Sequence, residues 1–219
     1  MIKIIRHRLV RFLAICIGLE AVVVMTGWFF GIDQLTRLSS SGINMKFLTA
    51  FLFLFSAIGL YFISKAMRGE RDILQTVLPP IVLSILTITV TLFVSRLLGT
   101  PTGIEQVFIP QPNPIDLTID TSIQGWPSFF TLVCFILFGF AGVASLFVSR
   151  LGRAVVLFAG ASIFFVGFVA VIGYVFQLHQ LYYDFSGSAV PMAFNTALLF
   201  VLLGSGLCVV YQDTAQNEN

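Results

Sequence analysis

Asp33, Glu105 and His179 hold matching places in three short strings, Gly31-Ile32-Asp33-Gln34-Leu35, Gly103-Ile104-Glu105-Gln106-Val107 and Gln177-Leu178-His179-Gln180-Leu181. Two carboxylates and an imidazole brought to one point make a donor set for a divalent metal. With Gln34, Gln106 and Gln180 beside them they form the candidate ligand-binding site, although the residue types do not specify a metal. The competing role is structural: each polar group caps a helix end or fastens a loop, with the glutamine bonding to backbone. Recurrence in every copy favours fastening, because a ligand site usually breaks symmetry.

Glu20 is the one acidic residue well inside an apolar stretch. A charge near the centre of a bilayer costs about 2.5–3.5 kcal/mol on insertion scales, so this side chain must face protein or water, or stay protonated. Sensing or proton binding is one reading. The other is a hydrogen bond to Ser84, Thr87 and Thr91, which recur at helical spacing along one face of another apolar stretch and suit contacts between helices in lipid. Glu20, Thr87 and Thr91 are therefore the intramembrane polar candidates. No nucleophile, base and orienter can be assembled, and no P-loop or His-x-x-x-His pair occurs. Neither enzymatic activity nor nucleic-acid binding is expected, and no cofactor is indicated.

The three strings belong to a longer pattern. Gly27, Gly99 and Gly173 precede them, and each is followed by a threonine four residues and a phenylalanine eight residues after a Met or Pro: Met45, Thr49, Phe53; Pro127, Thr131, Phe135; Met192, Thr196, Phe200. Twelve residues after that Met or Pro stands Ala57, Gly139 or Gly204. Self-similarity at a period of roughly 70 residues implies one supersecondary unit used three times. The threonines fall where a helix would begin, so the unit reads as a helical hairpin: an outgoing helix, the string, a loop, a returning helix.

Composition sets the solvent for these hairpins. The chain has 219 residues, of which 58% are hydrophobic and 10% charged, with a mean hydropathy of +0.98; a soluble domain carries about 25% charged residues. A hydrocarbon core about 30 Å thick takes about 20 apolar residues per helix, and six such stretches are predicted, at 10–30, 47–66, 76–98, 128–148, 154–176 and 191–211. The expected fold is an all-α membrane protein of six transmembrane helices in three hairpins, 10–66, 76–148 and 154–211, with an extended proline-rich loop at 100–126 and a tail at 212–219. Lys3, Arg6, Arg8 and Arg11 stand at the head of the first helix, and Lys65, Arg68, Arg71, Arg150 and Arg153 occupy even-numbered connections. Cytoplasmic segments retain such residues, so both termini are expected inside and the three strings outside. The basic-then-apolar N-terminus is read as an uncleaved anchor, because the apolar stretch runs on through Trp28-Phe29-Phe30 without a small-x-small cleavage site.

Pro79-Pro80 should open the third helix or kink it. Gly139, Ala141, Gly142 and Ser145 should let two helix backbones approach closely. Trp28, Trp126, Tyr174, Tyr182 and Tyr183 lie near outer boundaries and suit an interfacial aromatic belt. Cys16, Cys134 and Cys208 fall within helices and suggest no disulfide framework.

Strings such as Gly27-Trp28 with Gly31-Ile32-Asp33-Gln34-Leu35, and above all Met192-Ala193-Phe194-Asn195-Thr196-Ala197-Leu198-Leu199-Phe200-Val201-Leu202-Leu203-Gly204, resemble the multi-helix membrane input region found ahead of PAS, histidine-kinase and diguanylate-cyclase modules in bacterial signalling proteins. The resemblance implies a sensory domain of the bacterial cytoplasmic membrane that detects a ligand or membrane state and passes it to a cytoplasmic signalling partner or fused effector, either alone or as a homo-oligomer. After Tyr211 come only Gln212 to Asn219, so the expectation is a sensor excised from a longer receptor or a standalone relative acting through another protein. The alternatives are an accessory subunit of a larger membrane complex, with its 24 phenylalanines packed on lipid or neighbours, and a small transporter using Glu20 and the hydroxyl stripe.

Overall fold

A computed structural model describes residues 2–38, 43–70, 74–100, 102–104, 126–147, 149–181 and 190–215. Seven α-helices are formed among them: α1 (Ile2–Phe30), the single turn α2 (Asp33–Thr36), α3 (Phe47–Ala66), α4 (Leu74–Leu98), α5 (Phe129–Leu146), α6 (Arg150–Val175) and α7 (Phe194–Ala215). Six are long and apolar enough to cross a membrane, all but α2. The chain is thus a multi-pass, all-helical membrane protein.

The six long helices form two shells. In the apolar 18-residue stretch of each helix, 67% of the residues are buried in α3, 50% in α5 and 56% in α7, against 33% in α1, 28% in α4 and 33% in α6. Each outer helix lies between two inner ones: α1 packs on α7 and α3, α4 on α3 and α5, and α6 on α5 and α7. The inner shell therefore consists of the returning helix of every predicted hairpin. Their axis is filled by Phe53, Phe135 and Phe200, all with no exposed surface. The rings meet pairwise, with centroids 4.9 Å apart for Phe53 and Phe135, 4.8 Å for Phe53 and Phe200, and 5.2 Å for Phe135 and Phe200. Tilted and edge-on contacts at this range let positive ring edges meet negative faces.

Close approach of the shells depends on small residues. A Cβ on Gly139 would strike the Leu86 side chain, and one on Gly142 would come within 2.5 Å of Val82 Cγ2, so α5 seats two α4 side chains on bare backbone. Gly204 of α7 goes further, meeting the backbone of α6 at Phe164 and Gly160. The expectation for Gly139 and Gly142 holds in this contact between α4 and α5.

Three expectations need correcting. Arg6, Arg8 and Arg11 lie within the first turns of α1 rather than ahead of it, since long basic side chains can extend toward water from a continuing helix. Pro79 and Pro80 lie inside α4, one turn beyond its start. Trp28, Trp126 and Tyr174 point into the protein: Trp126 is buried and the other two half-buried, because their polar atoms or ring faces find partners there. Tyr182 and Tyr183 fall outside the described residues.

Candidate functional site

Every outer helix ends in the same way. Gly31, Gly99 and Gln177 take left-handed backbone conformations, with φ of 66°, 65° and 56°. Across them run bonds from Ile32 N–H to Gly27 O, Thr100 N–H to Ser95 O and Leu178 N–H to Gly173 O, at 2.8, 3.2 and 2.8 Å. These are Schellman closures, which satisfy helix-end carbonyls and favour glycine at the left-handed position. The structural counterpart of Gly31 is therefore Gly99. The sequence pattern had aligned Gly31 with Gly103, which is also left-handed; four additional residues separate the second helix end from its string.

The residue three places before each left-handed position then latches the returning helix. Trp28 Nε1 donates to Met45 O at 2.8 Å, an Arg96 guanidinium N–H to Pro127 O at 2.8 Å, and Tyr174 Oη to Met192 O at 2.5 Å. Each acceptor lies two residues before its helix, and the helix then opens with a phenylalanine: Phe47, Phe129 or Phe194. Thr49, Thr131 and Thr196 occupy the third helical position, each 2% exposed. On α5, Ser128 Oγ caps the Thr131 N–H at 3.2 Å, and the two hydroxyls bond at 2.8 Å. The pattern thus supplies helix ends and latches.

The candidate ligand residues sit on these fastenings. Asp33 and Gln34 are exposed on α2, which packs on α1. Residues 179–181, containing His179 and Gln180, form a single 3-10 turn packed on α6. Glu105 and Gln106 lie outside the described residues, as does most of the 100–126 loop. Among the described residues no three His, Cys, Asp or Glu side chains gather as a metal site. Gln180 borders a cavity of about 200 Å³ between α5 and α6, lined also by Phe130, Phe165, Val166, Val169 and Leu181. This predominantly apolar wall suits an acyl chain more than a polar solute.

The intramembrane candidates separate. Thr87 is exposed on α4, and Thr91 is half-buried on the same helix. Ser84 Oγ donates to Pro80 O of its own helix at 2.8 Å. Glu20 instead lies against the Asn195 side chain of α7. This corrects the proposed bond to the hydroxyl stripe: α1 packs between α3 and α7, whereas α4 is held between α3 and α5. Asn195 is 1% exposed and donates through Nδ2 to Thr36 O at 3.3 Å, the carbonyl that also accepts Met45 N–H at 2.9 Å. Periodicity alone does not single out Asn195, because an asparagine in a first helical turn commonly serves local capping.

At the opposite end, the chain's termini meet the connection between α3 and α4. An Arg6 guanidinium N–H donates to Gln212 O at 2.9 Å. Arg68 bonds His7 Nδ1 and donates through Nε to Glu70 Oε1 at 3.1 Å. Arg11 and Lys65 both lie over the Tyr61 ring, 5.6 and 5.1 Å from its centroid. Comparison with protein-family models, curated proteins and solved structures finds no match.

Proposed function

We propose that the chain is a signal-coupling domain of a bacterial cytoplasmic membrane, built from three repeated hairpins with both termini inside. On this reading it detects a ligand or membrane state at its outer face and passes the change to a cytoplasmic effector. The carrying observation is the contact among Phe53, Phe135 and Phe200, through which each returning helix touches the other two. A shift of one hairpin cannot be absorbed locally in such a packed axis. The Arg6 bond to Gln212 and the Arg68 bonds join α1, the α3–α4 connection and the end of α7 at the proposed output face. A stimulus acts by interacting differently with two arrangements of these helices.

The same axis weighs against transport, since a filled aromatic centre offers no hydrated path. The accessory-subunit reading draws support from Phe158, Phe165 and Phe168 exposed along α6, with Phe176 just past its end, a face for lipid or another membrane helix. A chimaera with a cyclase catalytic module joined in frame after residue 215 tests coupling. Membrane-inserted Phe135→Leu should alter cyclase output from the wild-type level; equal output, with stoichiometric co-purification of the native chain in a membrane complex, would favour the subunit reading.

A further inference from the structure

The three contacts between an outer helix and the preceding inner helix invite comparison at one level. Eleven residues before the left-handed positions Gly31, Gly99 and Gln177 stand Glu20, Ile88 and Val166. The second residues of the inner helices are Asn195, Leu48 and Phe130. Ile88 packs on the cluster of Leu48, Leu92 and Leu132, while Val166 and Phe130 line one cavity. Two junctions are therefore apolar at this level, and only the contact between α1 and α7 carries a polar pair. The architecture closes its other two junctions without one.

Asn195 also has a specific deficit. Its Nδ2 donates to Thr36 O, which fixes the amide orientation, since a flip would set Oδ1 against that carbonyl. Its buried Oδ1 has no hydrogen-bond partner. One N–H and one C=O of the amide thus remain for the Glu20 carboxyl beside it. A carboxylate offers acceptors alone, whereas a carboxylic acid offers one acceptor and one O–H donor. Only the acid complements both remaining amide groups.

No charged side chain stands close enough to neutralise a Glu20 carboxylate among the described residues. Arg6, His7, Arg8 and Arg11 lie toward the start of α1 and Lys65 and Asp213 near the far ends of α3 and α7; Asp33, Arg37 and Lys46 belong to the segment that folds back beside Gly27 and Trp28, and none of them acts on the Glu20 carboxyl. We propose that Glu20 and Asn195 form an intramembrane proton-binding site, in which the neutral acid donates to Asn195 Oδ1 and accepts from Asn195 Nδ2. Binding places one proton from water on the carboxylate and changes no other covalent bond. Loss of that proton leaves the amide oxygen without a donor and a charge between α1 and α7, while the Thr36 carbonyl links the pair to the loop before α3.

This goes beyond the coupling role and is tested without any signalling readout. Infrared spectra of the full chain in lipid nanodiscs, with glutamate carboxyls isotope-labelled, should contain a protonated-carboxyl band at about pH 7, where an ordinary glutamate is ionised. The band should vanish in Glu20→Gln and move in Asn195→Leu. The wild-type spectrum suffices if either variant fails to fold: no protonated glutamate band at that pH overturns the proposal. Persistence of the band in folded Glu20→Gln, or no shift in folded Asn195→Leu, overturns it equally.

Discussion

Phe53 on α3 and Phe200 on α7 lie with their ring centroids 4.8 Å apart and planes inclined by 52°, and both are fully buried. Phe135 closes the triangle from α5. Three helices far apart in sequence consequently share one contact. Phe135→Ala should destabilise the protein by about 3–5 kcal/mol through lost contacts and a cavity. Equilibrium unfolding in mild detergent measures this; a cost similar to that of Phe165→Ala on the exposed face of α6 would count against the triangle as the core.

Gly204 and Gly18 predict opposite outcomes for the same substitution. A Cβ at Gly204 would lie 2.6 Å from Gly160 O and also crowd the Phe164 backbone, neither of which can turn aside like a side-chain tip. Gly204→Ala should cost about 1–3 kcal/mol by overpacking. At Gly18 the nearest atom is Ala57 Cβ at 3.6 Å, an ordinary contact. Thermal unfolding of both variants in one detergent should show a clear loss for Gly204→Ala and little change for Gly18→Ala.

Gln177 holds a left-handed conformation that the other two helix ends give to glycine. A side chain there costs about 1–2 kcal/mol in backbone strain. Gln177→Gly should therefore raise stability by about 1 kcal/mol, with some of the gain offset by greater freedom of the unfolded chain. Chemical denaturation would test the sign, which should be opposite for Gly31→Ala.

Burial holds the Lys46 ammonium below the usual lysine range. The native state then releases this proton at a pH where the unfolded chain still binds it, so stability rises with pH through that window. Lys46→Met should have the higher Tm near neutral pH, and the difference should shrink as pH climbs toward the ordinary lysine value of about 10.4. A pH series of melting curves measures this, and a constant difference would refute it.

The apolar runs made the six long helices legible, and the spacing from Met45, Pro127 and Met192 marked the three threonines and phenylalanines that the inner helices bury. What it could not reveal was which helices face one another. Glu20 finds its partner on α7, and that contact depends on the closing of the helix ring rather than on local periodicity. The second helix end was misaligned because Gly99 and Gly103 are both plausible left-handed glycines, and only the Thr100 to Ser95 bond selects the one equivalent to Gly31. Trp28 and Tyr174 looked like interfacial anchors by position; their roles as latches required Met45 and Met192 to return within reach.

Single-cysteine labelling in intact cells most directly tests the central claim of three hairpins with outward strings and inward termini. In a background with Cys16, Cys134 and Cys208 replaced, Asp33→Cys and Gln180→Cys should react with a membrane-impermeant maleimide, and Glu70→Cys and Gln212→Cys only after permeabilisation. Equal labelling of Asp33→Cys and Gln212→Cys before permeabilisation, or labelling of the two strings from opposite sides, would contradict the account.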